Sequence, residues 1–425
     1  MRSPRYLKYK ESGAEWLRQV PEHWKVKRLG YYFNERRERV SDKDFAALSV
    51  TKNGIVPQLE TAAKSDDGDN RKKVCKGDFV INSRSDRKGS SGASHLDGSV
   101  SLICTVLYPQ EQVHTAFVHH LLRCQPFQEE FYRNGKGIVA DLWSTNYSEM
   151  RNILIGVPPI LEQATIAAFL DRETTKIDAL VAEQQRLIEL LKEKRLAIVS
   201  QAVTKGMNAN VPMKLSEIEW LGEIPHHWKR TRIRALYRQR KRQNHPEKPV
   251  LSVYRDYGVI LKGSREDNIN KTPEDLSAYQ LVNPSDLVVN KMKAWQGSLG
   301  VSDLEGITSP DYIVFTPHHR ELSAFIHLLL RSQRMVTVYG SISNGIRPDQ
   351  WRLETDLFLG LSVFLPPSQE QRDLVSFVNA QISHFDTLTA AAQRAIDLLQ
   401  ERRTALISAA VTGQIDVRQG GAEKP

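Results

Sequence analysis

Two polar segments carry the side chains of this chain that are best suited to bind a polyanion. Guanidinium and ammonium groups bind phosphates and guanine edges, while side-chain amides match the edge of adenine. The candidates in the first segment are Asn82, Arg84, Arg87 and Lys88. Those in the second segment are Asn290, Lys291, Lys293, Trp295 and Gln296. The alternative is that all of them are ordinary solvated loop residues.

Each polar segment follows a short apolar run that is typical of a β-strand. The runs Phe79-Val80-Ile81 and Leu287-Val288-Val289 both come after a turn signal. Farther along, each half of the chain shows the pattern of a short helix and then a final strand. These are Ala116–Cys124 with Ile153–Val157, and Ala324–Ser332 with Leu361–Leu365. Each globular part is therefore predicted to be a mixed α/β domain, and the fold class α+β.

The second half of the chain repeats the first. Pro158-Pro159 and Glu162-Gln163 return as Pro366-Pro367 and Glu370-Gln371, an offset of 208 residues. Trp16, Trp24 and Trp143 return as Trp220, Trp228 and Trp351. The simplest interpretation of these tryptophans is core or domain-to-helix anchoring, with base stacking as the alternative. Trp295 has no counterpart, which favours a copy-specific role. The period far exceeds the roughly 20–50 residues of a solenoid repeat, so the chain is a two-domain duplication.

A long amphipathic helix is predicted at the end of each copy. No proline or glycine occurs between Leu161 and Thr204, so a helix of about 40 residues would be about 60 Å long. Its apolar stripe, from Ile166 through Leu180 and Leu187 to Ile198, requires a partner. We expect the two helices to pair as an antiparallel coiled coil. A pseudo-two-fold axis would then relate the repeats, with the globular domains at opposite ends of the rod.

The predicted domain organisation follows from these patterns. The first globular domain is assigned to residues 1–157, the first long helix to 158–206, the second globular domain to 207–365, the second long helix to 366–413, and a C-terminal tail to 414–425. Two heads related by a dyad could enter successive major grooves of double-stranded DNA, which lie about 34 Å apart. Unlike side chains in the two polar segments would then read unlike half-sites.

Composition is compatible with such a partner. The formal net charge is +9, and a basic balance favours polyanions, although many proteins reach it without binding nucleic acid. Basic residues cluster in corresponding stretches of both copies, around Arg36 and Arg242, which a solvated surface would also explain. The three cysteines show no CxxC spacing, so neither a disulfide framework nor a zinc site is expected. No apolar run has the roughly 18 residues of a membrane span, and we expect the cytoplasm as the compartment.

The chain lacks the motifs expected of an enzyme. The segment Asn283-Pro284-Ser285-Asp286 resembles the Asn/Asp-Pro-Pro-aromatic motif of adenine methyltransferases poorly and is better interpreted as a turn. There is no GxxxxGK[ST] phosphate loop for ATP. The pair His119-His120 is the nearest candidate for metal ligands, but only His119 recurs, as His327, and helix packing is the favoured interpretation. We therefore predict no catalytic residue and no metal site.

In its ordered duplicated motifs the chain resembles the specificity subunits of type I restriction–modification systems. The motifs are Glu15-Trp16-Leu17 through Trp24, the strand and loop from Gly77, the segment Val157 to Gln163, and their repeats. The resemblance covers almost the whole chain in the order recognition domain, helix, recognition domain, helix. Differences between the copies, such as Trp295 where the first copy has Arg87, imply unlike half-sites.

The resemblance implies a protein that binds a bipartite, asymmetric DNA site, one half per recognition domain. Two modification subunits would methylate adenine N6 with S-adenosylmethionine, and two restriction subunits would use ATP and Mg²⁺, so this chain itself would hold no cofactor. The expected docking residues for the modification subunits are Pro158, Pro159, Glu162, Gln163, Pro366, Pro367, Glu370 and Gln371. The alternative hypothesis is a coiled-coil protein adaptor without sequence-specific DNA binding.

Overall fold

The computed structural model describes residues 4–60, 68–84, 87–110, 113–137, 143–208, 210–265, 272–346 and 351–418, so residues 419–425 of the expected tail lie outside the described part. The chain divides into two compact units. Unit 1 comprises residues 1–185 and 394–425, and unit 2 comprises residues 186–393. Each unit thus contains one globular domain together with a part of both long helices.

Short strands and four short helices precede the first long helix. The strands are β1 Tyr9–Glu11, β2 Gln19–Pro21, β3 Lys25–Arg28, β4 Phe33–Glu35, β5 Arg39–Val40, β6 Leu48–Thr51, β7 Gly54–Pro57, β8 Arg71–Val74, β9 Phe79–Asn82, β10 Ser91–Ala93, β11 Gly98–Val100, β12 Cys104–Pro109 and β13 Leu154–Val157. The helices are α1 Leu29–Tyr32, α2 Thr115–Leu121, α3 Gln125–Arg133, α4 Tyr147–Met150 and the long α5 Ile160–Lys205.

The second copy repeats this order of elements closely. Its strands are β14 Met213–Leu215, β15 Glu223–Pro225, β16 Lys229–Arg232, β17 Tyr237–Gln239, β18 Leu251–Tyr254, β19 Gly258–Leu261, β20 Gln280–Val282, β21 Leu287–Asn290, β22 Leu299–Val301, β23 Gly306–Thr308, β24 Tyr312–Pro317, β25 Ser343–Asn344, β26 Arg352–Leu353 and β27 Ser362–Leu365. Its helices are α6 Ile233–Leu236, α7 Ser323–Leu330, α8 Gln333–Ser341, α9 Thr355–Gly360 and the long α10 Ser368–Val411.

The predicted strands β9 and β21 are inner strands of equivalent antiparallel sheets. In unit 1 the strand order is β10-β9-β12-β4, and in unit 2 it is β17-β24-β21-β22. All four residues of each strand are buried, because helices cover one face of the sheet and a β-hairpin covers the other. The prediction of strands at these two places, and of strands β13 and β27 before the double prolines, is confirmed.

Each unit has its own hydrophobic core, which extends onto the long helices. In unit 1 the aromatic side chains of the domain pack against Ile166 and Leu170 of α5 and against Ala410 and Val411 of α10. In unit 2 they pack against Ala202 and Val203 of α5 and against Leu374 and Val378 of α10. The globular domain and the helices therefore share one hydrophobic core in each unit.

The long helices run antiparallel within each unit. In unit 1, Ile166 shares a core with Ala410, and farther along α5 Asp178 pairs with Arg403, at 2.9 Å. The residue number thus rises along α5 while it falls along α10. Unit 2 shows the same order, since Arg195 pairs with Asp386 at 2.7 Å. The prediction of an antiparallel coiled coil is confirmed, and so is the fold class of two mixed α/β domains with two long helices.

The position of the helical seam differs from the sequence prediction at two leucines. Leu180 and Leu187 are 45% and 42% exposed, whereas Ile177 and Ile188 are 4% and 9% exposed. The buried positions follow the period of 3.5 residues that a coiled coil imposes, while the predicted stripe allowed any sum of threes and fours. None of the helices in the described part of the chain carries an apolar stretch long enough to cross a bilayer.

Candidate nucleic-acid interface

The polar segments begin with asparagines that shape the backbone. The Oδ1 atoms of Asn82 and Asn290 each accept a hydrogen bond from the amide two residues later, Arg84 and Met292, both at 3.1 Å. Side-chain amides often form such turns after a strand. Asn82 is 7% exposed and Asn290 is 8% exposed. Their repetition is thus explained by a turn that directs the chain away from the sheet, and contact of either asparagine with DNA stays a prediction.

The first segment presents three exposed cations. Arg84, Arg87 and Lys88 are exposed, and the backbone returns to the sheet at Gly89, which has a φ of +82°. Lys88 Nζ lies 5.5 Å from the centre of the Tyr132 ring of helix α3, within cation–π distance, and the residue is exposed. This surface can bind phosphates or the acceptor edges of bases.

The second segment has a different shape and chemistry. Lys293 and Gln296 are exposed, Lys291 is half-buried, and a turn of 3₁₀ helix covers Ala294–Gln296. The half-buried Trp295 donates its indole N–H to the Met292 carbonyl at 3.1 Å, and its ring meets Trp351 edge to face at 5.4 Å. Trp295 therefore stabilises the loop locally, and its contact with DNA stays a prediction.

Some of the basic residues in the clusters serve the fold. Arg36 donates to both oxygens of Asp78 at 2.7 and 3.0 Å, and Arg242 donates to Asp286 at 3.1 Å. Both aspartates are about 2% exposed or less and come directly before strands β9 and β21. The pKa of Asp286 is raised, because burial outweighs the attraction of the guanidinium. These ion pairs fix the start of the strands that lead into the polar segments.

A half-buried arginine binds the turn of a β-hairpin in each unit. In unit 1, Arg123 Nη2 donates to the Lys52 carbonyl at 2.5 Å, at the turn between β6 and β7. In unit 2, Arg331 donates to the carbonyls of Tyr254 and Arg255 at 3.3 and 2.6 Å, between β18 and β19. The sequence gives no signal for this role of Arg123 and Arg331, since their acceptors are more than 70 residues away along the chain.

His119 supports the arginine in unit 1. Its Nδ1 accepts a hydrogen bond from the Ala93 amide at 3.3 Å, and its Nε2 lies 2.5 Å from Arg123 Nη1. Burial, and then the nearby guanidinium, lower the pKa of His119 to about 3. His120 points elsewhere and bonds Asp171 at 2.7 Å. These contacts support helix packing over metal binding, and the described residues contain no group of three or more possible ligands suited to a metal ion.

Glu162 joins the first domain to its long helix. Its Oε1 accepts the indole N–H of Trp24 at 3.0 Å and the hydroxyl of Tyr6 at 2.7 Å. The Nε2 of His23 lies 2.7 Å from its Oε2. Since Glu162 is in the first turn of α5, its charge also faces the positive end of the helix. The role of Trp24 as a domain-to-helix anchor is therefore clear.

Gln163 closes the same junction. Its Oε1 accepts the backbone N–H of His114 at 2.8 Å, and its Nε2 donates to the Pro158 carbonyl at 2.8 Å. With a residue exposure of 1%, both ends of the amide are used inside the protein. The glutamine thus ties the end of β13 and the start of α2 to the first turn of α5.

Unit 2 has the same junction with a smaller network. The indole N–H of Trp228 donates to Oε1 of Glu370 at 3.2 Å, and Nε2 of His227 lies 2.7 Å from Oε2 of the same carboxylate. Gln371 accepts the Leu322 amide at 3.0 Å and donates to the Pro366 carbonyl at 2.9 Å. The carboxylate of Glu370 is 30% exposed and that of Glu162 only 7%, since no tyrosine hydroxyl bonds Glu370 among the described residues.

Most of the expected docking residues therefore face inward. Pro158 and Pro366 are buried like the two glutamines, whereas Pro159 and Pro367 are exposed. Next to Pro159, the side chain of Leu161 is 81% exposed. The repeated Pro-Pro and Glu-Gln pairs are explained by folding. Their role in docking stays a prediction, and Pro159, Pro367 and the partly exposed Glu370 are the members accessible to a partner.

Comparison with known proteins supports the sequence resemblance. No protein-family model matches the chain. The chain is 22% identical over 385 residues to the type I restriction enzyme StySPI specificity subunit of Salmonella potsdam, covering 83% of this chain and 78% of that protein. It is also 22% identical over 380 residues to the EcoKI specificity subunit of Escherichia coli K12, with the same coverage of 83% and 78%.

Solved structures share the fold. The HsdS subunit from Thermoanaerobacter tengcongensis matches with a TM-score of 0.52 at 15% identity, over 93% of this chain and 98% of that one. A chain from a structural study of complex assembly and conformational transition of the type I R-M system matches with a TM-score of 0.59 at 16% identity, over 92% and 98%. The resemblance to type I specificity subunits, predicted from the duplicated motifs, is confirmed in sequence and in fold.

Proposed function

We propose that this chain is the non-catalytic DNA-specificity subunit of a type I restriction–modification complex. Each globular domain reads one half of a bipartite, asymmetric DNA site, and the long helices set the gap between the halves. The observation that carries the proposal is the equivalent placement of two cationic segments, one in each unit, directly after the buried strands β9 and β21. The similarity to type I specificity subunits supports it.

The two segments suit unlike half-sites. Arg84, Arg87 and Lys88 of unit 1 give three exposed charges, while Lys293 and Gln296 of unit 2 give one charge and one amide on a 3₁₀ turn. An arginine bonds guanine best and a glutamine adenine, so the same scaffold would select different bases in its two copies. Phosphate contacts by the remaining cations would set the register on the duplex.

The partners would be two modification subunits, docked along the helices and around the exposed Pro159 and Pro367, and two restriction subunits, which would supply the motor and nuclease. S-adenosylmethionine would bind the modification subunit, and ATP and Mg²⁺ the restriction subunit. Exposed leucines on the long helices support a role in docking, since Leu161 and Leu398 are 81% and 65% exposed. Large exposed apolar side chains are typical of interaction surfaces when they occur in groups.

The test is to co-express the chain with its modification subunit in a methylation-free host and to map N6-methyladenine over the host DNA. We expect methylation confined to one asymmetric sequence of two short halves with a constant gap. A stable complex that methylates no such sequence would refute the proposal and favour the protein adaptor.

A paired variant tests the assignment of the second segment. Lys291→Ala with Lys293→Ala should weaken or alter recognition of one half-site and leave subunit assembly intact. If both lysines contact phosphates, the slope of log K against log salt should become shallower by about 2. Lys8→Ala with Lys10→Ala removes the same charge from the surface of unit 1 and serves as the matched control. Loss of assembly with unchanged DNA recognition would refute the placement.

A further inference from the structure

A groove in unit 2 lies between the polar segment and the hairpin β18–β19. Its volume is about 1110 Å³. On one side it is lined by Asn290, Lys293 and Gln296, and on the other by Tyr254, Tyr257 and Arg265. The hairpin side was not recognised from the sequence, because Tyr254 and Arg265 precede Asn290 by 36 and 25 positions and become its neighbours only when the hairpin packs on the sheet.

The turn of this hairpin is one residue longer than its counterpart in unit 1. Strand β6 ends opposite the start of β7 with Thr51 paired to Gly54, which leaves two residues in the turn. In unit 2 Tyr254 pairs with Gly258, which leaves three, Arg255, Asp256 and Tyr257. The repeat offset rises accordingly from 203 at Thr51 to 204 at Gly54. The hairpin tip of the second copy is therefore one residue longer than that of the first, and the longer turn carries a tyrosine.

The hairpin is held rigidly at its base. Gly258 has a φ of +73°, and a β-carbon there would lie 2.8 Å from the ring of His327 and so could not fit without a shift. Arg331 binds the carbonyls of Tyr254 and Arg255 from below. Because these contacts fix the backbone at the base of the hairpin, the extra residue is held in a defined position. A rigid support of this kind is needed for precise contact with a ligand.

The tip presents aromatic and cationic groups toward the groove. Tyr257 is 58% exposed. The guanidinium carbon of Arg265 lies 4.8 Å from the centre of the Tyr257 ring and 5.3 Å from that of Tyr254. The hydroxyl of Tyr254 is buried and has no hydrogen-bond partner among the described residues. Stacking against tyrosine orients the guanidinium at low entropic cost, so that its N–H groups can bind an anion.

We propose that the hairpin tip is a second DNA-recognition element, present in this form only in unit 2. The groove holds the edge of one DNA strand, with Arg265 bound to a phosphate and Tyr257 packed against the adjoining sugar and base. This inference rests on the proposed function and refines it, since it makes Tyr257 a specificity-determining residue for the half-site that the Lys291 and Lys293 variant alters. Four basic residues, Arg255, Lys262, Arg265 and Lys293, and three acidic ones, Asp256, Asp275 and Asp311, line the groove, so its balance is only slightly positive. The case for a DNA strand therefore rests on the side where Arg265 stacks on Tyr257 and Tyr254 and faces Lys293 across the groove.

The experiment compares methylation maps and DNA affinities of complexes that contain the full-length chain. Tyr257→Ala, and deletion of Tyr257 to restore the two-residue turn, should each weaken binding of the cognate duplex about tenfold, which is the usual effect of losing one good base contact. The methylated sequence should become degenerate at positions in the second half-site and stay unchanged in the first half-site and in the gap. Arg265→Ala should weaken binding without changing the sequence preference, because a phosphate carries no base information.

The controls separate this inference from the proposed function. Tyr31→Ala removes an exposed tyrosine of unit 1, which is 63% exposed, and should change neither affinity nor sequence. If Tyr257→Ala binds within about twofold of the unaltered chain and methylates the same sequence, or if both half-sites become degenerate, the hairpin assignment is wrong. If the unaltered complex recognises no bipartite sequence, the proposed function itself fails. Should the deletion prevent folding, Tyr257→Phe and Tyr257→Ala retain the turn length and decide the question.

Discussion

Removing the carboxylate of Glu162 should destabilise unit 1 more than removal of Glu370 destabilises unit 2. Glu162→Ala leaves the indole N–H of Trp24 and the hydroxyl of Tyr6 without their acceptor, in residues that are 0% and 5% exposed. An unsatisfied buried donor costs about 1–3 kcal/mol, so the two together cost about 2–6 kcal/mol. Glu370→Ala leaves one buried donor, the indole of Trp228 at 3.2 Å, and should cost about 1–3 kcal/mol, because its other partner, His227, is 40% exposed and can bond water instead.

The effect can be localised by native-state hydrogen exchange. Amides of residues 19–28 report on the junction in unit 1, and those of residues 223–232 report on the junction in unit 2. Two units in one chain need not unfold in a single step, so a global melting temperature would mix their contributions. We expect Glu162→Ala to reduce protection in the first group by the larger amount and to leave the second group unchanged.

Two comparisons make the reasoning refutable. Glu162→Gln keeps one acceptor oxygen and should lose less stability than Glu162→Ala. In the double variant with Trp24→Phe the orphaned indole is absent, so the second substitution should cost less than it does alone. Equal losses for the two alanine variants, or additive losses in the double variant, would show that hydrogen bonding to the carboxylate does not hold the domain to the helix.

Three further predictions concern stability. Because folding lowers the pKa of His119 from 6.5 to about 3, the free energy of unfolding should fall as the pH drops below about 6.5, by about 1.4 kcal/mol per pH unit from this group. His119→Gln should therefore flatten the pH profile of stability measured by urea unfolding. An unchanged profile would refute the assignment. Gly306→Ala should lower the free energy of unfolding by about 2 kcal/mol or more, because the added β-carbon would lie 2.5 Å from the Pro249 carbonyl oxygen. Gly340→Ala in helix α8 meets nothing within 4 Å and should raise it by about 0.5–1 kcal/mol. The reverse order in urea unfolding would contradict this. Asp178→Arg should lower stability by about 1 kcal/mol or less, since the ion pair of Asp178 with Arg403 is solvent-exposed. Adding Arg403→Asp reverses both charges and should restore the thermal stability. If it does not, the pair makes no contribution.

Patterns local in sequence predicted much of this fold. The apolar runs before the polar segments form β9 and β21 because a short run of β-branched and aromatic residues suits a buried strand. The helices α5 and α10 could be predicted because no proline or glycine interrupts them. The duplication then indicated the same domain twice. Each of these inferences needs only residues close to one another or a comparison of the chain with itself.

The tertiary structure decided which of the predicted residues remain accessible. Asn82, Glu162 and Gln163 carry polar groups in repeated motifs, and the sequence could not show that folding already uses those groups, because their surroundings come from distant segments. Contact with the partner helix, about 200 residues away along the chain, buries Ile188 at the helical seam and leaves Leu187 exposed. Packing of the hairpin β18–β19 on the face of the sheet placed Tyr257 beside Lys293, since Leu251 and Val253 share a core with Val288, and such contacts between distant segments carry no local signal.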